Sequence, residues 1–408
     1  MSTSQCDPSG GAERSRTVAV TALGGGVDAA PTATSSAFNS GHRFTALDSL
    51  RGIAAMGVVL HHLPAANGLG GLPLAQMGGL FVDFFFVLSG FVIACSYGDK
   101  LAAGFPLRKF ALLRLGRVVP VHLLMIALFL AMELATWALG SGGLSLRAPF
   151  TGSHSLGHLF SATFLLDGFV PHRLNYYNGV SWSISVELFL YALAALVFRI
   201  GRNGLWLLYA IGLGALALHT AWISWPVLTT DLQRGLTGFA AGVACWQLFR
   251  RRAGARLPMP TLLEAISLSG LVLFVWLSAA LRHPELIFLP AAAVVWVFAH
   301  QAGAISRALG QRGWVWLGAI SYSLYMTHVM VLGRSVDLLL VASRLTGHRF
   351  ASYEWVGKVP IKAIELPLLP SLLMQCAMIA LALLVAHWCW RLIEEPLRQW
   401  SRRRAAEL

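Results

Sequence analysis

Residues 47–62 read LDSLRGIAAMGVVLHH. The stretch has the apolar character of a membrane-spanning helix, yet it carries Arg51 and His62. Eleven residues at about 100° each come to about 1100°, some 20° past three full turns, so both side chains fall on one face about 16 Å apart along the axis. A charged side chain in a bilayer costs about 2.5–3.5 kcal/mol or more unless it faces protein or a wet cavity. Two ionisable groups on one face therefore mark a site, with a permanent cation at one depth and a proton-exchanging group at another.

The rest of the chain shares this character. Hydrophobic residues make up 56% and charged residues 12%, with a mean hydropathy of +0.65, far from the balance of a soluble domain. Apolar runs predict ten spans, at about 44–63, 78–98, 118–139, 181–199, 204–222, 231–249, 261–281, 285–300, 314–335 and 370–391. The expected fold is all-α, a polytopic transmembrane helical bundle of about ten spans. A net charge of +13 would favour nucleic acid only if the basic residues shared one face of a soluble fold, so no nucleic-acid partner is expected. Instead the charge follows topology. Counting alternate loops, 22 of the 31 Lys and Arg fall on the side of the N-terminus. Seven fall on the other side (Arg147, Arg173, Arg282, Arg344, Arg349, Lys358 and Lys362), and Arg234 and Arg334 lie within spans. The positive-inside rule then puts both termini in the cytoplasm of a multi-pass protein in the cytoplasmic (inner) membrane.

The five cysteines, Cys6, Cys95, Cys245, Cys376 and Cys389, form no CxxC pair and no metal-ligand spacing, so neither disulfides nor a metal are expected. Residues 1–42, rich in Gly, Ser, Thr and Ala, read as a disordered cytoplasmic tail. Residues 43–393 are expected to form the transmembrane domain and 394–408 a basic cytoplasmic C-terminal tail, with no room expected for an appended soluble domain.

Six blocks then occur in order: LDSLRGIAAMGVVLHH (47–62), FVDFFFVLSGFVI (81–93), RKFALLRLGRVVP (108–120), SWSISVELFLY (181–191), SYSLYMTHV (321–329) and IEEPLR (393–398). Apolar strings with one polar residue are common, but six in this order and spacing resemble the acyltransferase 3 family over about residues 44–400. The resemblance implies about ten spans and transfer of an acyl group, usually acetyl from acetyl-CoA, to a hydroxyl of a sugar or related acceptor. The family's pattern of Arg or Lys, ten residues, then His falls on Arg51 and His62. Its Arg, two residues, Arg pattern falls on Arg114 and Arg117.

Acyl transfer from a thioester needs a base for the hydroxyl proton, stabilisation of the oxyanion and a clamp for an anionic donor. His62 suits the base, because a neutral imidazole accepts a proton near neutral pH. Asp83, at the depth of His62, is expected to orient that imidazole as the third member of a triad does; a helix entrance also favours Asp through the dipole. Glu187, two turns into the fourth span, requires a partner, whether His62, His328 or an arginine, and is catalytic or half of a structural pair. His328, with Tyr325 and Ser321 on its face, is expected to bind the acceptor or to join helices by hydrogen bonds. Trp182 offers a sugar-stacking surface or an interfacial anchor. Arg114 and Arg117 are assigned to the CoA phosphates, which guanidinium forks hold in bidentate fashion. Arg51 is expected at the donor end of the chemistry, or paired with Asp48.

Depth gives these expectations a direction. His62, Asp83, Glu187 and His328 fall in the outer halves of their spans, whereas Arg51, Arg114 and Arg117 fall near the inner surface. The partners implied are acyl-CoA from the cytoplasm, the lipid bilayer, and a carbohydrate or glycolipid acceptor outside. A macrolide or other secondary metabolite would also present the hydroxyl. A transporter would place ionisable residues at mid-depth too, but no repeated halves with broken helices are visible. A scaffold gives no reason for aligning Arg51 with His62.

Overall fold

Each of the ten apolar runs contains a helix, the structure that satisfies its own backbone hydrogen bonds in hydrocarbon. In chain order these are α1 (Thr45–His61), α2 (Phe81–Ile93), α3 (Leu107–Ala138), α4 (Ser181–Ile200), α5 (Arg202–Thr220), α6 (Thr230–Arg251), α7 (Pro260–Leu277), α8 (Phe288–Ala299), α9 (Arg312–Thr346) and α10 (Leu368–Cys389). The structure, a computed structural model, describes residues 43–138, 148–170, 177–225, 228–252, 256–356 and 359–408. The expected tail 1–42, with Cys6, and the loop charges Arg147, Arg173 and Lys358 lie outside the described residues. The architecture is a helical membrane bundle.

Seven described helical stretches, those built on α2, α3, α4, α5, α7, α9 and α10, are long and apolar enough to cross a membrane. The other three fall short for visible reasons. α1 has 17 residues and α8 has 12, while α6 carries Asp231, Arg234, Arg250 and Arg251. Protein rather than lipid surrounds much of these helices, so they can be short or polar. α6 buries Asp231, Gln233 and Thr237 along with its apolar residues, and α1 buries Leu47, Leu50, Ala54, Ala55, Val58 and Val59.

Close backbone approach holds the centre together. A Cβ on Gly242 of α6 would stand 1.9 Å from the Val87 carbonyl oxygen of α2, and one on Gly90 of α2 would stand 2.1 Å from that of Phe239. Small residues at such crossings let membrane helices gain dispersion contacts that larger side chains would prevent. α1 and α9 meet in the same way, since a Cβ on Gly318 would stand 2.3 Å from the Asp48 carbonyl oxygen. That contact fixes Arg51, one turn beyond Asp48, against α9.

Three helix limits differ from those expected. α3 begins at Leu107, not near 118, so the RKFALLRLGR block is helical; its Arg, Lys and Leu are good helix formers even though their charge lowers local hydropathy. α9 continues to Thr346 and stops where Gly347 adopts a left-handed φ of 71°. α10 runs through one wide π turn (Trp390–Glu394) into α11 (Glu395–Glu407), so residues 395–407 are helical. α11 lies on α3, with Ser401 against Gly116. The chain between α9 and α10 also forms an antiparallel hairpin of β1 (Ala351–Val356) and β2 (Val359–Ile364), with Ser352 opposite Ala363 and Tyr353 opposite Lys362. Strands of six residues vanish in a hydropathy window of about 19.

Candidate active site

α1, α2, α3, α4 and α9 enclose a cavity of ≈ 790 Å³, counting its open mouth. Its charged lining comes from Arg51, Arg114, Arg117 and Glu187, set among apolar residues such as Val82, Phe85 and Phe86. Arg51 is anchored to α9, its Nε donating to Ser321 Oγ (3.0 Å) and its Nη2 to the Gly318 carbonyl (3.0 Å). Its Nη1 lies 3.3 Å from Asp48 Oδ1, so the guanidinium both pairs with Asp48 and faces the cavity. Arg114 donates from Nη2 to Tyr97 Oη (2.9 Å) and lies over the Tyr97 ring, 4.7 Å from its centroid. Its Nε is buried with no hydrogen-bond partner among the described residues. Glu187 accepts from Ser89 Oγ (3.1 Å) and Tyr191 Oη (2.5 Å), and Arg117 lies in its electrostatic field.

The α9 residues continue from the cavity to a second polar cluster. Tyr325 lines the cavity, donates to the Val180 carbonyl (3.2 Å) and meets Ser183 Oγ at 2.7 Å. One turn further, His328 is buried, its ring centroid 6.0 Å from that of Tyr325. His328 Nε2 lies 3.3 Å from Nδ1 of His62, the C-cap residue of α1. Each histidine also directs Nδ1 at the carbonyl four residues earlier, His62 at Val58 (2.9 Å) and His328 at Leu324 (3.1 Å). A carbonyl oxygen only accepts, so both Nδ1 atoms carry the hydrogen. His61 packs edge-on against the His62 ring, centroids 5.0 Å apart, and directs its Nδ1 at the Ala75 carbonyl (3.1 Å).

The expected residues thus form two groups joined by α9. Arg51, Arg114, Arg117, Glu187, Ser321 and Tyr325 share the cavity; His62 and His328 share a hydrogen bond just beyond it. Ser321 therefore sits with Arg51 and not beside His328. Asp83 does not contact His62: its carboxylate takes a forked pair from Arg234, Nη2 to Oδ2 at 2.7 Å and Nε to Oδ1 at 3.1 Å. An arginine at that depth needs a carboxylate, and Asp83 supplies it. Glu187 likewise accepts from hydroxyls, with neither histidine as partner. Trp182 has the Arg234 guanidinium over its ring, 5.2 Å from the centroid, so that face is covered.

Arg234, which sequence places inside a span without naming its partner, is the residue that takes up Asp83 and covers Trp182. The available signal was an arginine inside a span with Asp231 three residues before it, 3.6 Å away in the structure. Ser89, Tyr97 and Tyr191, the hydroxyls that hold Glu187 and Arg114, gave no sequence signal beyond polarity in apolar runs. Glu394 of the IEEPLR block is buried and accepts from Ser323 Oγ (2.6 Å), and it shares the field of Arg117. Among the described residues no group of three or more His, Cys, Asp or Glu is placed to hold a metal ion.

A relative from Rhizobium radiobacter named "Protein 2 in picA locus" is 40% identical over 115 residues, 28% of this chain and 56% of that protein. The chain thus spans about half the length of that curated relative. No solved structure matches. The acyltransferase 3 family, described as an acyltransferase domain, matches residues 44–391, a stretch that takes in both the arginine-lined cavity and the histidine pair. With nearly the whole bundle inside that match, the chain belongs to the acyltransferase 3 family of membrane acyltransferases.

Proposed function

We propose that this acyltransferase moves an acyl group, acetyl first among them, from cytoplasmic acyl-CoA to a hydroxyl of a carbohydrate or glycolipid outside the cytoplasmic membrane. The observation that carries the reading is the continuity along α9, from a cavity with three arginines, past Tyr325, to His328 and His62. Guanidinium forks suit the phosphates of the donor, and the partnerless Arg114 Nε leaves a donor group for an anion. The apolar walls suit the uncharged arm that carries the thioester.

In this reading the acceptor hydroxyl gives its proton to His62 Nε2 as its oxygen bonds to the acyl carbon. The carbon–sulfur bond breaks, and the proton held on His62 returns to the departing thiolate, so ester and free thiol leave with all atoms accounted for. Asp83 and Trp182 serve the site through Arg234, holding the wall beside the acceptor.

Sealed membrane vesicles of both orientations test the reading. Labelled acetyl-CoA supplied to the face bearing Arg114 and Arg117 is expected to label glycan or glycolipid on the opposite face. Label confined to the donor's own face, or equal labelling from either side, would overturn the transmembrane route. Mass spectra of envelope glycans from cells with and without the gene then identify the acceptor by the mass of one acetyl group.

A further inference from the structure

The orientation of the two imidazoles carries one step further. The His62 Nδ1–H is shared between the Val58 carbonyl (2.9 Å) and His328 Nε2 (3.3 Å). His328 spends its own Nδ1–H on the Leu324 carbonyl (3.1 Å), so its Nε2 has only a lone pair to offer. A hydrogen on His328 Nε2 would point at the hydrogen on His62 Nδ1, and the contact would repel. Among the described residues nothing hydrogen-bonds to His62 Nε2. The only base nitrogen of the pair left open is therefore the one a hydroxyl can reach, since His328 is buried and His62 is exposed. The carboxylate at similar depth, Asp83, is held by Arg234.

We infer that His328 is the positioning residue of His62: its Nε2 lone pair fixes the ring with Nε2 as the base, and draws the Nδ1–H closer as Nε2 takes up the acceptor's proton. The role is that of the carboxylate in a nucleophile–histidine–carboxylate triad, filled here by a neutral imidazole. Charge on the His62 ring strengthens its Nδ1–H as a donor, so the bond tightens when the proton arrives and relaxes when it leaves for the thiolate. This inference rests on the proposed role of His62 as base, and it moves His328 from binding the acceptor to supporting the base.

The test uses the full-length chain, with thiol release from acetyl-CoA as the signal and methyl glucoside as the probe acceptor. His328→Phe, which fills the space but accepts no hydrogen bond, is expected to lower kcat about 10- to 100-fold, less than the roughly 10⁴-fold lost on neutralising a triad carboxylate. KM for acetyl-CoA and for methyl glucoside should stay within about twofold, and His328→Gln, whose amide oxygen can accept from His62, should recover at least part of the loss. An unchanged kcat in His328→Phe, a raised acceptor KM with kcat intact, or a Gln variant no better than Phe would each overturn the inference. His62→Ala separates the two levels: if it is inactive while His328→Phe is fully active, only the inference fails; if it is active, the base assignment fails as well.

Discussion

Arg114 combines two contacts at the end of the cavity proposed to take the donor. Its Nη2 is held by Tyr97 Oη and its guanidinium carbon lies 4.7 Å from the Tyr97 ring centroid, while Nε has no hydrogen-bond partner among the described residues. A buried charged donor without an acceptor costs free energy, and a bound phosphate removes that cost. Arg114→Lys keeps the charge but loses the fork and the stacking. It is expected to raise KM for acetyl-CoA about tenfold with little change in kcat, as initial rates against donor concentration would show; a charge-assisted hydrogen bond worth about 1.5–3 kcal/mol sets that scale. Arg114 and Arg117 were legible as neighbours because they lie within one segment, where helical period fixes relative placement, whereas Arg51 and His62 lie on α1 and at its C-cap but fall to different groups, Arg51 to the cavity and His62 to His328. The role of Asp83 was not legible, because its partner Arg234 is 151 residues away, and only the packing of α2 on α6 brings them together.

At the level of helices, the crossing of α2 and α6 depends on the missing side chains at Gly90 and Gly242 more than on hydropathy. Gly242→Val would force a Cβ to within 1.9 Å of the Val87 carbonyl oxygen, so the two helices must part. Overpacking of this kind costs about 1–3 kcal/mol or more. The variant is expected to unfold at lower temperature in detergent, and because Asp83 and Arg234 ride on the same two helices, their pair should loosen with it. Gly214 on α5 has nothing within 4 Å of where its Cβ would lie, so Gly214→Ala serves as the control that leaves the melting temperature unchanged. The apolar runs located these helices, including the short α1 and α8, but not their ends. α3 gained its first turns from charged helix formers, α10 passed into α11 through a π turn, and the hairpin between α9 and α10 was too short to register.

For the whole molecule, a helix in each of the ten apolar runs, in the expected order, and a family match over residues 44–391 make the architecture and the class of chemistry legible from sequence. What sequence left open was how the charges are shared out. Three-dimensional packing gives Arg51, Arg114, Arg117 and Glu187 to one cavity, Asp83 to Arg234, and His328 to His62. α9 links the arginine-lined cavity, proposed to take the donor, to the histidine pair, proposed to supply the base. The most direct measurement is transfer of labelled acetyl from acetyl-CoA into envelope material by membranes holding His62→Ala at the wild-type protein level. A fall of about 10²-fold or more is predicted, the scale of lost general-base catalysis. Transfer at the wild-type rate would contradict the account.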